Sequence, residues 1–338
     1  MILYNQIEIA RPSELFDQYN ITRADRQFYN SLLNVGKEQE AIDAFVEKYM
    51  SDPIELYNAV MQRYLFYAQQ GEITGTNRNR LETSVAILTF ALSTLIIDNF
   101  TDFTDRVYAP AVFEATQISK MKVQRMILDE TLEQFNTLTA NSLTRIQSDV
   151  LQGIRTMQME MITLNQTISS RKFVGAELDR YVNQFREQLR QKYPQYYKMM
   201  EDGKFFRYND GKMYNLTTYN DMATRTTLLN VDRTSVEVQS RVRGEKVVEY
   251  YLRDNRPLKT GIHRQICKSI LSKKIMGKSL LALDDDTAVK LGIMTVASAK
   301  GTSDYAMGPN CRHSIKRVSR RFRTRIDAIL RQSEEQSA

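Results

Sequence analysis

A chain of 338 residues with 42% hydrophobic content is long enough for two or three domains and for a sizeable core. Two Cys in the whole chain allow at most one internal disulfide, which excludes a disulfide-built scaffold. The net charge of +7 is unevenly spread: residues 241–331 hold roughly 21 Lys and Arg against 8 Asp and Glu, and the rest is net acidic. Such a basic module suits a polyanion or an acidic protein surface, or is simply a solvated face.

Taken in order, residues 1–10 read as a short strand, and Pro12-Ser13-Glu14 opens a helix. Thr22 caps a second helix before Phe28, Leu32 and Leu33. A third covers residues 38–50. A fourth starts with Asp52 as N-cap and Pro53 at the first helical position, and runs to Gln70. Residues 71–76 form a loop, and an apolar helix follows over residues 80–98. Its longest apolar run, residues 85–97, falls short of the ~20 residues that a membrane span needs. No membrane span and no secretory leader are expected.

No proline occurs between Pro110 and Pro194. Within that interval apolar residues recur in steps of three and four at Leu128, Leu132, Phe135, Leu143, Ile146, Val150, Ile154, Met157, Met161, Leu164 and Ile168. The spacing predicts one long helix over about residues 118–170, in a bundle or a coiled coil. Its partner is either the preceding helices of the same chain or a neighbouring copy. Met157, Met159 and Met161 read as gap-filling side chains.

Near residue 200 the period changes. Residues 204–216 read as a hairpin turning at Asp210-Gly211. Thr217 or Thr218 then caps a helix from Tyr219 to about Val242, and residues 245–252 alternate as a strand. Asp254 to Pro257 turns the chain. The acidic triplet Asp284 to Asp286 is a magnesium site or, more plainly, a helix start. Ile315, Val318, Phe322, Ile326 and Ile329 fit one stripe of a basic C-terminal helix. Lys316, Arg317, Arg320, Arg321, Arg323 and Arg325 surround that stripe and are candidates for non-specific contact with phosphates of double-stranded DNA. The expected fold is α+β, mostly α. A helical domain spans residues 1–200, a small mixed α+β domain spans 201–332, and residues 333–338 fray.

The sharpest chemical signal is the placement of the only His and Cys residues. His263 and Cys267 are four apart, so a helix puts them on one face. Cys311 and His313 are two apart, so an extended segment does the same. Two thiolates and two imidazoles make a common closed, structural zinc set. A Cys267–Cys311 disulfide, or buried thiols with no ligand at all, are the alternatives. No P-loop, nucleophile elbow or H-E-x-x-H motif is present, so no enzyme activity is expected.

Several segments, in order, resemble the minor capsid or head-morphogenesis proteins of tailed bacteriophages, the Mu F-like group. They are Asp210-Gly211-Lys212, the Y-x-x-M-x-x-R-T run from Tyr219 to Thr226, Asp254 with Arg256, the Cys267 region, and Asn310-Cys311-Arg312-His313. Residues 200–320 carry the resemblance. The pattern departs from the group at His263, where a second Cys is common, and at Gly308-Pro309 before Asn310. The resemblance implies a virion component at the portal vertex, acting in head assembly, DNA packaging or ejection. It implies portal or capsid partners, an oligomer in the particle, and residence in the host cytoplasm during assembly. A nucleic-acid-binding regulator using the same basic domain is the alternative. Arg225 and Asp254 read as a structural pair.

Overall fold

The computed structural model describes residues 15–73, 75–207, 212–252, 265–301, 307, 311 and 313–337. The expected strand at residues 1–10, the helix opening at Pro12, the turn at Asp210-Gly211, the Arg225–Asp254 pair, and Gly308-Pro309 involve residues outside that set. The fold is mostly α, with long helices and small antiparallel sheets, as the sequence predicts.

Two compact units are present. One holds Met1–Leu32, Lys37–Phe103 and Phe135–Asp221, and the other holds Leu33–Gly36, Thr104–Gln134 and Met222–Ala338. A single boundary near residue 200 is therefore replaced by a chain that passes between units more than once. The reason is that two long helices each contribute to both.

The first unit begins its helices with α1 (Arg23–Asn34). Thr22 caps it as expected. Thr22 Oγ1 accepts from the Asp25 N–H at 3.3 Å, and the Thr22 N–H donates to Asp25 Oδ2 at 3.0 Å. This is a capping box with Asp in the place of Glu. Helices α2 (Glu38–Val46) and α3 (Asp52–Gln70) are not separated at Asp52-Pro53. A π turn, Glu47–Ser51, joins them, and Ser51 itself has helical dihedrals. Proline lacks an N–H and crowds the carbonyl one turn back. The wider π turn absorbs both defects, so the helix continues. The same device recurs at Thr104–Tyr108, ahead of Pro110, between α4 (Gly75–Phe103) and α5 (Ala109–Thr116).

The apolar helix is thus longer than the sequence suggests. The run Asn77–Thr116 is long and apolar enough, by length and composition, to cross a membrane. In this structure Val85, Leu88, Leu92, Ile96 and Phe100 are buried, as in the core helix of a folded unit. Phe100 stacks on Phe135, with ring centroids 3.7 Å apart.

Helix α6 (Met121–Arg171) is the predicted long helix, 51 residues without a break. Its stripe is buried at Phe135, Leu143, Ile146, Val150, Ile154, Met157, Met161 and Leu164, whereas Met159 is exposed. The chain itself supplies the partner surface. Gly153 marks a close approach, since a Cβ there would lie 2.9 Å from both Leu65 Cδ2 and Tyr196 Cδ1. Arg155 donates to both carboxylate oxygens of Glu82 at 2.9 Å. Helices α7 (Gly175–Lys192) and α8 (Pro194–Asp202) follow, then strands β1 (Phe206–Arg207) and β2 (Met213–Tyr214), paired antiparallel.

Helix α9 (Leu216–Val242) starts earlier than its threonines suggest. Asn215 Oδ1 accepts from the Thr217 N–H at 2.8 Å and satisfies the helix start. The second unit is built on β3 (Val247–Leu252), α10 (Gln265–Ser272), β4 (Lys274–Ile275), β5 (Lys278–Ala282), α11 (Asp285–Leu291), α12 (Val296–Gly301), β6 (His313–Arg317) and α13 (Arg320–Ser337). The sheet order is β4-β5-β3-β6, with every neighbour antiparallel. Val248, Tyr250, Leu281 and Ile315 belong to one buried cluster with Cys267 and Ile270 of α10 and with Val296 and Ala299 of α12. Val247 and Leu280 belong to a second, with Phe322, Ile326 and Leu330 of α13. The period-two alternation of β3 and β5 thus feeds a core on each face.

Val150→Asp places a carboxylate in the closed α6 seam, at a cost on the order of a few kcal/mol. Its thermal midpoint is expected to drop steeply, while Gln152→Asp, exposed on the same helix, melts like the wild type. Equal midpoints would show that the stripe is not closed in solution.

Donation from Arg155, with help from Arg78, holds the Glu82 carboxyl down at about 2, below its ordinary 4.5. A depressed folded-state pKa contributes stability that is full above pH 4.5 and is lost as pH falls toward 2. Glu82→Gln is expected to flatten the acid limb of the stability curve in that window, as read by denaturant titration at stepped pH.

Candidate metal centre

The site lies on the Val248–Tyr250 face of the sheet. Cys267 comes from α10, Cys311 from the residues leading into β6, and His313 is the first residue of β6. The side chains of Cys311 and His313 lie on one side, with Sγ 3.4 Å from Nδ1. Cys267 is 1% exposed and His313 is 3% exposed. His263, the expected fourth ligand, lies outside the described residues.

The three described donors converge, with their ligand atoms all within 4.8 Å of one another. Sγ of Cys267 and Sγ of Cys311 are 3.9 Å apart, and Cys311 Sγ is 3.4 Å from His313 Nδ1. A tetrahedral ion with usual Zn–S and Zn–N lengths holds two sulfurs about 3.8 Å apart and a sulfur and a nitrogen about 3.6 Å apart. The residues therefore fit a metal ion. Both cysteines are free, so the alternative disulfide is not formed. Among the described residues, this is the group of three or more His, Cys, Asp or Glu side chains able to hold an ion.

The acidic triplet takes the plainer role. Asp284 Oδ1 accepts from the Thr287 N–H at 2.8 Å as N-cap of α11, and Asp286 pairs with Lys290 at 2.8 Å.

Hydrogen bonds support the sulfurs. The Tyr250 hydroxyl donates to Cys267 Sγ at 3.2 Å, and the Met307 N–H donates to Cys311 Sγ at 3.1 Å. Burial, followed by the nearby sulfurs, pushes the Tyr250 phenol far above its ordinary range, so it remains a donor. Donation from the Cys267 thiol, with help from His313, holds the Cys311 thiol well below the usual thiol range, toward the thiolate that binds metal. The Tyr250 ring stacks on the His313 imidazole at 4.9 Å and 11°, which fixes the plane of the imidazole.

Two contributors fall outside the His and Cys pattern. Tyr250 has a signal in the sequence, since it shares the period of Val248 on β3. Arg233 has none: it is one arginine within α9, and no spacing marks it. It is 0% exposed. Its Nη1 donates to the Met307 carbonyl at 2.6 Å and to Asn230 Oδ1 at 3.1 Å. Its Nη2 donates to the carbonyls of Cys311 at 3.0 Å and His313 at 2.6 Å.

The basic end differs from the expected helix. Lys316 and Arg317 lie on β6, and the helix begins at Arg320. Ile315 and Val318 are buried but precede it, and Leu330 takes the place expected of Ile329. The carboxylate of Glu245 is fully buried and pairs with Arg317 and, at 3.1 Å, with Arg323. Lys316 sits 3.6 Å from Glu249 and over the Tyr251 ring. Of the six candidates for phosphate binding, Lys316, Arg320, Arg321 and Arg325 are exposed, Lys316 beside Glu249, whereas Arg317 and Arg323 are half-buried against Glu245.

No protein-family model matches the chain, and neither a curated protein nor a solved structure shows significant similarity to it.

Purified full-length protein is expected to bind one thiophilic divalent ion, and Cys267→Ser or Cys311→Ser should each release it. Elemental analysis, together with thiol labelling before and after chelation, reads both effects. Rapid labelling of both thiols in metal-loaded protein would remove the ion from this site.

Proposed function

We propose that this chain is a structural minor protein of a tailed-bacteriophage particle, whose basic C-terminal unit is stapled by zinc. One observation carries the structural role: Cys267 and His313, both buried, and Cys311, half-buried, come from distant parts of the chain and sit at the separations of a tetrahedral ion. With His263 as the fourth ligand every position of a tetrahedral ion would be filled by the protein, which favours cross-linking over catalysis. His263 is the fourth ligand in this reading. Zinc is favoured by two soft sulfurs with imidazole nitrogen. The virion assignment rests on the Y-x-x-M-x-x-R-T and N-C-R-H segments, the second of which carries two of the three donors.

In this reading the protein joins portal or capsid proteins at the portal vertex as an oligomer. It acts in head assembly, DNA packaging or ejection. It resides in the host cytoplasm until it is incorporated. Arg320, Arg321 and Arg325 face DNA phosphates without reading bases, and Lys316, Arg317 and Arg323 hold the surface that carries them.

Sedimentation of lysates from phage-infected cells tests the assignment. The protein is expected in the particle fraction, in a fixed ratio to the portal. Recovery only in the soluble fraction would overturn the assignment and favour a nucleic-acid-binding regulator. DNA affinity should fall steeply with salt, because neutralised phosphates release counterions. Replacing Arg320, Arg321 and Arg325 with Ala should lower the log–log salt slope by about 1 for each phosphate that is no longer neutralised. Replacing Arg323 should act mainly on stability.

A further inference from the structure

We infer that Arg233 is the positioning residue that holds the Cys311–His313 half of the metal site in ligating register. The inference rests on the metal reading of that site. Cys267 is carried by a helix, whose own backbone bonds keep its ligand in place. Cys311 is not: it belongs to no helix or strand. Cys311 thus needs an external frame, and His313, the end residue of β6, is held by its pairing opposite Leu252 but has no strand before it.

Arg233 supplies that frame. Its two terminal nitrogens bond the carbonyls of residues 307, 311 and 313, so one rigid plane ties three points of a seven-residue segment. The guanidinium is planar, with donors in a fixed fork, and it grips these carbonyls in one geometry only. The described residues of that segment carry two donors and a support: the Cys311 sulfur, the His313 imidazole, and the Met307 N–H that donates to Cys311 Sγ. Asn230, one helical turn earlier on α9, accepts from Nη1 and orients the fork. A lysine ammonium in that place is a point donor on a flexible stem, and it cannot reach three carbonyls in one plane.

This predicts that Arg233 sets metal affinity as well as stability. The test titrates full-length protein with Co²⁺ and follows the visible absorption of tetrahedral thiolate-bound cobalt. Arg233→Lys is expected to bind about 10–100-fold more weakly, the usual loss when an outer-shell partner is removed. Its cobalt spectrum should also change, because the half-site is no longer held tetrahedral. Val236→Ala loosens the same core without removing any bond to the three carbonyls, and it should keep the wild-type spectrum. Should Arg233→Lys not fold, Asn230→Ala keeps the guanidinium and loses its orienting bond, along with an exposed bond from Asn230 Nδ2 to Gln134 Oε1 that does not touch the site. It should weaken cobalt binding roughly 2–10-fold, the worth of one hydrogen bond.

Wild-type protein that binds no Co²⁺ would sink the metal reading itself. Wild-type binding with an unchanged constant and spectrum in Arg233→Lys, or in Asn230→Ala where that is the variant that folds, would overturn the role of Arg233 alone. An equal loss in Val236→Ala would do the same, by showing that affinity follows core stability.

Discussion

The register of β3 is the constraint on which the second unit depends. It is an inner strand, paired with β5 on one side and β6 on the other. Val248 and Tyr250 point to the metal face, and Val247 points to α13. A slip of one residue would exchange the two sets. Glu249 would then meet the sulfurs, and the Tyr250 hydroxyl would leave them. The pairing with β6 acts at the same place. Tyr250 lies opposite Ile315, and Leu252 lies opposite His313. Tyr250 and His313 are therefore diagonal neighbours on one face, close enough for aromatic rings to meet. Their stacking is a consequence of register, and so is the direction in which the imidazole nitrogen faces.

The charge of this unit is arranged by the same sheet. Glu245 ends the link from α9 and is buried beside Arg317 and Arg323. Two guanidinium groups on one buried carboxylate give little net stability over an apolar contact, because three groups leave water. Arg323 does favour one face of α13 toward the sheet, since any other rotation would leave Glu245 with Arg317 alone. On the neighbouring residues, Glu249 takes Lys278 and lies near Lys316. Counting lysines and arginines along the chain overstates the free positive surface, because acidic side chains on one short strand and its approach neutralise several of them.

The sequence is most legible where a single period is sustained. The long helix announces itself through its apolar steps, and its observed ends, Met121 and Arg171, are within a few residues of the expected ones. Cys311 with His313 is legible because two-residue spacing on extended chain has one geometric outcome. The helix breaks are not legible. Proline reads as an end, yet both Pro53 and Pro110 sit just after π turns, and a five-residue widening leaves no mark in composition. The basic end is ambiguous for a different reason. Ile315, Val318 and Phe322 satisfy a helical stripe, but a strand residue, a residue just past the strand and a helix satisfy the same burial. Arg233 cannot be found in the sequence, because a buried arginine and a solvated one look alike until the carbonyls they serve are folded against them.

The choice between a metal and a disulfide follows from the geometry around the sulfurs. A disulfide needs sulfurs about 2.05 Å apart, and these stand at 3.9 Å. Closing that gap would draw Cys311 toward α10. Its bonds to the Met307 N–H and the Arg233 guanidinium would stretch, and His313, two residues on, would be pulled from its place over Tyr250. A metal ion needs no such movement. It bonds each donor near its present position, and the network that would resist a disulfide is the same one that keeps the donors apart at ligating distance. The entropic cost of bringing residues 44 apart in the chain together is met by the sheet and α10, so the ion adds its bond energy to a site that folding has already assembled.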